Sequence, residues 1–209
     1  MYGWMVFQNF SAVDEKTTLS WKYTGEGEDA FQKSCRIRVK DAQGRISDTG
    51  EMETERHQGM PFPDMEWRSF TEYQVQVEGK DRGGNLTESG WITFVTGALV
   101  PEDFQGQWIG TGEGKPFYAR KRWNLTKKVK SAYALVCGLG QFRFYINGKK
   151  VSDHELDPGW TNYDRKVQYV MFDIAPYLRE GENVFGVSVG NGFYPGPKGR
   201  RYFLEMLSE

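Results

Sequence analysis

Cysteine and histidine are the scarcest chemically useful residues in this chain. Two cysteines, Cys35 and Cys137, occur in 209 residues. Each sits in an alternating apolar pattern, beside Ile37 or Leu135, which is the setting of a buried free thiol and not of a disulfide framework. The two histidines, His57 and His154, stand far apart with no nucleophile motif beside either. No Cys/His metal spacing, no G-x-S-x-G and no P-loop is present. No apolar run approaches the ~20 residues a membrane helix needs. The first ten residues lack a basic head, a long apolar centre and a small-residue cleavage site, so no secretory signal is visible. A mature form would have lost one, so the compartment stays open. An excess of one charge is also missing, with 27 basic residues against 28 acidic and a net charge of -1. The basic runs, Lys127-Lys128 and Lys198 to Arg201, read as solvated turns. This balance speaks against a nucleic-acid or membrane surface.

Aromatics and glycine are what the chain does have. It is 38% hydrophobic and 15% aromatic, enough to bury a core, and its 25 glycines fall mostly between alternating segments. That distribution predicts many short strands joined by turns. Residues 1–100 read as six or seven strands, among them Thr17 to Tyr23, Ser34 to Lys40, Tyr73 to Val77 and Trp91 to Thr96. With no helical period, they predict a β-sandwich of the fibronectin type III or immunoglobulin kind, although the Cys…Trp…Cys pattern of antibody domains is absent. Met60-Pro61-Phe62-Pro63 cannot be a central strand, because proline removes ladder donors. Thr96 to Pro101 reads as the boundary, giving domains at 1–100 and 101–209.

The second domain is organised around Gly138 to Tyr169. Phe142, Phe144 and Ile146 alternate with Gln141, Arg143 and Tyr145, the period of a strand with one buried face. Asn147-Gly148 then supplies the positive φ that a two-residue hairpin needs. Strands are also expected at Phe117 to Leu125, Ser131 to Cys137, Val167 to Phe172, Val184 to Val189 and Tyr202 to Leu207. Asp173, Pro176 and Gly181 mark one short helix between the third and fourth of these. A strand, a capped helical turn, a Gly-Glu-Asn corner and a central strand recur in jelly-roll modules of the galactose-binding type. The fold class read here is therefore all-β, with two successive β-sandwiches, the second a jelly roll.

Asp153, Glu155, Asp157 and Asp164 gather on the hairpin and its exit. Glycoside hydrolysis needs two carboxyl groups facing each other across a sugar, one of them kept protonated. An open hairpin offers little burial to raise a pKa, so catalysis is not expected from these groups. A hairpin presenting carboxylates, an imidazole and Trp160 suits carbohydrate binding. A polar loop over a buried tryptophan would give the same string, with Trp160 as a core plug.

A more specific resemblance is carried by Trp108-Ile109-Gly110, Cys137-Gly138-Leu139-Gly140, Tyr145 to Val151, Leu156 to Tyr163, Gly181-Glu182-Asn183 and Gly190 to Tyr194, in that order. This series resembles the amino-terminal region of bacterial α-L-rhamnosidases, strongly over 108–196 and more loosely over 31–97. The resemblance implies a fibronectin-like sandwich followed by a jelly-roll domain. In the family an (α/α)6 barrel carrying the acidic catalytic residues follows, and no helical pattern here matches one. The chain is therefore expected to be an amino-terminal piece or a shortened gene product, with its jelly roll incomplete at the C-terminal end. The expected partners are a rhamnose-containing carbohydrate and that barrel.

Some rhamnosidase jelly rolls resemble modules that hold L-rhamnose through calcium. Carried over, Asp153 would supply a carboxylate, Asn191 an amide oxygen and the Pro195–Gly196 region a carbonyl, with Trp160 and Tyr194 facing the sugar. His154 departs from the pattern, because imidazole is a poor calcium ligand beside oxygen donors. Asp153 as a solvated residue and Asn191 as a turn former remain the alternatives.

Overall fold

A computed structural model describes residues 3–9, 18–24, 31–111, 115–163, 165–192 and 194. The chain divides into two compact units, Met1–Gly106 and Gln107–Glu209. Both are β-structures with short turns, and no described helix is long and apolar enough to cross a membrane.

The first unit holds nine described strands: β1 (Gly3–Asn9), β2 (Thr18–Thr24), β3 (Gln32–Lys40), β4 (Ile46–Asp48), β5 (Met52–Glu53), β6 (Met60–Pro61), β7 (Glu72–Asp81), β8 (Leu86–Glu88) and β9 (Ile92–Val95). One sheet runs β1-β2-β6, and the other is built on β4-β3-β7-β8 with β5 and β9 attached. Pro61 lies on an edge strand, where its missing N–H costs no ladder bond. Leu19 and Trp21 of the first sheet meet Ile37, Val39, Val75 and Val77 of the second. The buried Trp21 indole donates to Gln32 Oε1 at 2.8 Å, and Gln32 Nε2 donates to the carbonyls of Thr54 and Arg56. These bonds satisfy the polar edge of an otherwise apolar core. More strands form than the six or seven expected, because β5 and β6 are two-residue ladders too short to show a period.

The second unit contains β10 (Phe117–Leu125), β11 (Tyr133–Val136), β12 (Gln141–Ile146), β13 (Lys149–Lys150), β14 (Val170–Asp173) and β15 (Gly181–Gly190). A four-stranded sheet, β10-β15-β12-β13, covers a two-stranded one, β11-β14. Phe142, Ile146 and Val151 pack with Phe172 and Ile174 between them. Phe144 lies 5.8 Å from Phe172 and 6.2 Å from Phe185, ring centre to ring centre. Asn147 and Gly148 have φ of 52° and 80°, as the hairpin reading required.

Two local expectations are corrected. The strand expected at Val167 begins at Val170, because its partner β11 ends at Val136 and leaves 167–169 without a ladder. The short helix is a single 3-10 turn, Ala175–Tyr177, in which Asp173 Oδ1 accepts from Ala175 N at 3.0 Å. Gly181 does not stop this turn; it opens β15 with φ of 85°. The segment expected at Tyr202 to Leu207 lies outside the described residues.

The 3-10 turn is fastened to both ends of the hairpin. Asn147 Nδ2 donates to Tyr177 O at 3.0 Å and to Asn183 Oδ1 at 2.9 Å, while Asn147 Oδ1 accepts from Val184 N. The Tyr177 hydroxyl donates to Val151 O at 2.6 Å. Asn183 is fully buried, and its amide also bonds Arg179 N, Arg179 O and Gly181 O. Every polar atom of that side chain is matched. An apolar replacement would strand several partners at ~1–3 kcal/mol each.

Asp48, Asp81 and Asp103 are among the carboxylates of the first unit held below the ordinary carboxylate range. The Arg36 guanidinium acts on Asp48, the Asn85 side-chain amide on Asp81, and the Ser69 hydroxyl on Asp103. A carboxyl whose folded pKa is depressed contributes stability above its unfolded pKa of ~3.9 and loses it as pH falls toward the folded value. The thermal midpoint of this unit is therefore expected to hold from pH 7 to about 5 and to fall below about 4. A midpoint in scanning calorimetry that is unchanged at pH 2 would contradict these bonds.

Candidate functional site

After Lys150 the chain touches β12 at two points. Val151 N donates to Phe144 O at 3.0 Å, and Phe142 N donates to Asp157 O at 2.7 Å. Five residues lie between Val151 and Asp157 but only one between Phe142 and Phe144, so residues 152–156 bulge from the sheet edge. Asp153, His154 and Glu155 are exposed on this bulge, and Leu156 turns it with φ of 63°. His154 Nδ1 lies 3.3 Å from Asp157 Oδ2. Glu155 accepts from Lys150 Nζ at 2.6 Å and Arg143 at 3.2 Å. The Lys150 ammonium first, and Arg143 after it, hold the Glu155 carboxyl below its ordinary range. Such a group stays ionised at neutral pH, the wrong state for a general acid.

The chain then passes a cis Asp157–Pro158 bond. A Cβ at Gly159 would meet Gln168 Oε1 at 2.8 Å. Asn162 O accepts from Arg165 N and Lys166 N, closing the turn around Tyr163. The Tyr163 ring meets that of Tyr194 edge-on, 5.5 Å between centres. Burial raises the Tyr163 phenol above its ordinary range. The Cys137 thiol donates to Gln168 O at 3.2 Å, and both cysteines are free thiols. Trp160 is 46% exposed and Tyr194 42%. Trp160 is thus not the core plug that its size suggested; its loop carries it outward while phenylalanines fill the interior.

Asn191 follows the last residue of β15. Its position depends on Gly140, which has φ of 117° and runs so close to the neighbouring backbone that a Cβ would come within 2.2 Å of Gly190 O and 2.8 Å of Asn191 O. Asp153 and Asn191 stand on opposite edges of β12, the first beyond β13 and the second after β15. Both are exposed. Among the described residues no three histidine, cysteine, aspartate or glutamate side chains gather as metal ligands. Pro195, Gly196, Phe193 and Asp164 lie outside the described residues. Reading the sequence missed Tyr163, which joins Trp160's loop to Tyr194, and Gly140, whose place after Gly138-Leu139 was the available sign of close backbone approach.

Two family models match this chain. Residues 127–205 match the alpha-L-rhamnosidase N-terminal domain, and residues 7–100 match the Rha78A-like N-terminal immunoglobulin domain. An alpha-L-rhamnosidase of Formosa agariphila is 29% identical over 88% of this chain and 23% of its own length. The native rhamnosidase structure from Aspergillus terreus superposes with a TM-score of 0.75 at 25% identity, covering 93% of this chain and 24% of that one. The enzyme from Dictyoglumus thermophilum gives 0.76 at 26% identity, over 91% and 25%. The chain spans about a quarter of the length of these relatives.

The Gly140 contact is tested by comparing two alanine substitutions. Gly140→Ala is expected to destabilise the second unit by ~2 kcal/mol or more in urea unfolding, because strain and a backbone clash add. Gly148→Ala, which meets only open space, is expected to cost ~1 kcal/mol, the left-handed backbone penalty alone. Equal costs would contradict the close approach of Gly140 to Asn191.

Proposed function

We propose, for a chain that belongs to the α-L-rhamnosidase family through its amino-terminal region, that it is a non-catalytic accessory module contacting rhamnose-containing carbohydrate. The observation that carries this reading is the pair of half-exposed aromatics, Trp160 and Tyr194, on loops linked through the Tyr163 ring. Aromatic faces of this kind cover the C–H side of a sugar while neighbouring polar groups bond its hydroxyls. The ionised, doubly paired Glu155 supports the non-catalytic half of the proposal.

Calcium is the further part. Asp153 would donate a carboxylate, and the ion would complete its ~6–8 oxygens from carbonyls, water and sugar hydroxyls. With Asn191 on the other edge of β12, the carboxylate of Asp153 is the stronger of the two proposed protein ligands. A second, structural reading is favoured by Trp108 and Ile109, which are 64% and 66% exposed. These side chains would pack on a catalytic barrel of the kind the family resemblance implies.

Calorimetric titration of L-rhamnose, with calcium and then with chelator, distinguishes the two. The expected result is calcium-dependent heat that galactose does not reproduce, weakened at least ~tenfold, about 1.4 kcal/mol, by Asp153→Ala and by Trp160→Ala. Absence of heat in both conditions would overturn the binding proposal and leave the structural reading.

A further inference from the structure

The face of the four-stranded sheet turned away from the core holds a second concave surface. Register places Tyr118, Ser188 and Arg143 in one row across β10, β15 and β12. Their neighbours along the strands, Phe144 and Val187 among them, point into the core, so this row points outward. The central position is the small Ser188, and the flanking positions are long. A groove of about 290 Å³ lies over it. Tyr118 stands on one wall and Arg143, Glu155 and Leu156 on the other, with Gln141 and Ser188 along the floor. Tyr118 is 90% exposed, an unusual state for a large ring on a sheet built around aromatic packing.

We propose that this groove is a binding site for one neutral sugar ring, independent of the loop site at Trp160. Its volume sits at the lower end of the ~300–1,000 Å³ of small-molecule sites, which suits a single ring and not a peptide or folded partner. The Tyr118 ring offers an apolar face with a hydroxyl at its edge. Opposite it, the Arg143–Glu155 pair at 3.2 Å presents fixed donors and acceptors side by side, the complement of adjacent hydroxyls. Glu155 already pairs with Arg143 and Lys150, so a carboxylate or phosphate ligand would have to displace it to reach a cation. An apolar ligand would bury these polar groups without partners. A hydroxyl-rich neutral ring uses all of them.

The test is a titration of ¹⁵N-labelled chain, followed by amide shifts, with methyl α-L-rhamnopyranoside, methyl β-D-galactopyranoside and sodium galacturonate. Concentrations up to about 50 mM would approach saturation for a Kd on the order of 10 mM. The expected result is saturable shifts at Gln141, Arg143 and Ser188 with a neutral glycoside and none with galacturonate. Tyr118→Ala, which removes an exposed ring, and Ser188→Leu, which fills the floor, should each weaken those shifts at least fivefold. Shifts at Asn162 and Asn191 should be unaffected by either substitution. Shifts confined to Asn162 and Asn191 would overturn this site while sparing the loop reading, and shifts confined to the groove would do the reverse. Silence at the groove amides with both neutral glycosides, shifts that survive Tyr118→Ala, or a preference for galacturonate would each overturn the proposal.

Discussion

The paired amides of half-buried Asn147 and buried Asn183 fix the second unit's geometry. Asn147 occupies the hairpin turn with positive φ and still uses its side chain to bond Tyr177 O, Asn183 Oδ1 and Val184 N. Asn183 in turn closes the corner from Arg179 to Gly181. Two residues thus hold the hairpin tip, the 3-10 turn and the start of the central strand in one register. Buried amides fully matched in this way specify a single arrangement, because any slip leaves donors and acceptors without water or partner.

That fixed hairpin is the base for everything exposed around it. The bulge at 152–156 can carry charge and a left-handed Leu156 because its two anchors, Val151 and Asp157, are bonded to β12. The loop from Pro158 to Gln168 is held by its own turn at Asn162 and by the Cys137 thiol bonded to Gln168 O. Surface loops that present binding groups from a rigid sandwich keep their preorganisation without needing a catalytic pocket. Glu155 on the bulge is committed to two cations, which orders the bulge and keeps the charge on.

Much of this was legible from residue order. The alternation of Phe142, Phe144 and Ile146 named the buried face of β12, and Asn147-Gly148 named its turn, because both depend on local periodicity and backbone tolerance. The bounds of Phe117 to Leu125 followed for the same reason. The end of a ladder was not legible. Val167 to Tyr169 has strand chemistry but lies outside the ladder, which ends with Val136 on β11, and where a ladder ends is set by another part of the chain. Asn183 read as a corner residue, yet it is fully buried, since its partner Asn147 lies far away in sequence. Trp160 was ambiguous because size and apolarity are the same for a core plug and for an exposed platform, and the loop's path decides between them.

The most direct measurement of the central claim is hydrolysis of an aryl α-L-rhamnoside by the purified chain. An accessory module with its hairpin carboxylates exposed or paired should release no phenol above the uncatalysed rate, at any pH between 4 and 8. Release that saturates with substrate and is lost in Glu155→Gln would contradict the account, because it would place a working carboxylate on the bulge.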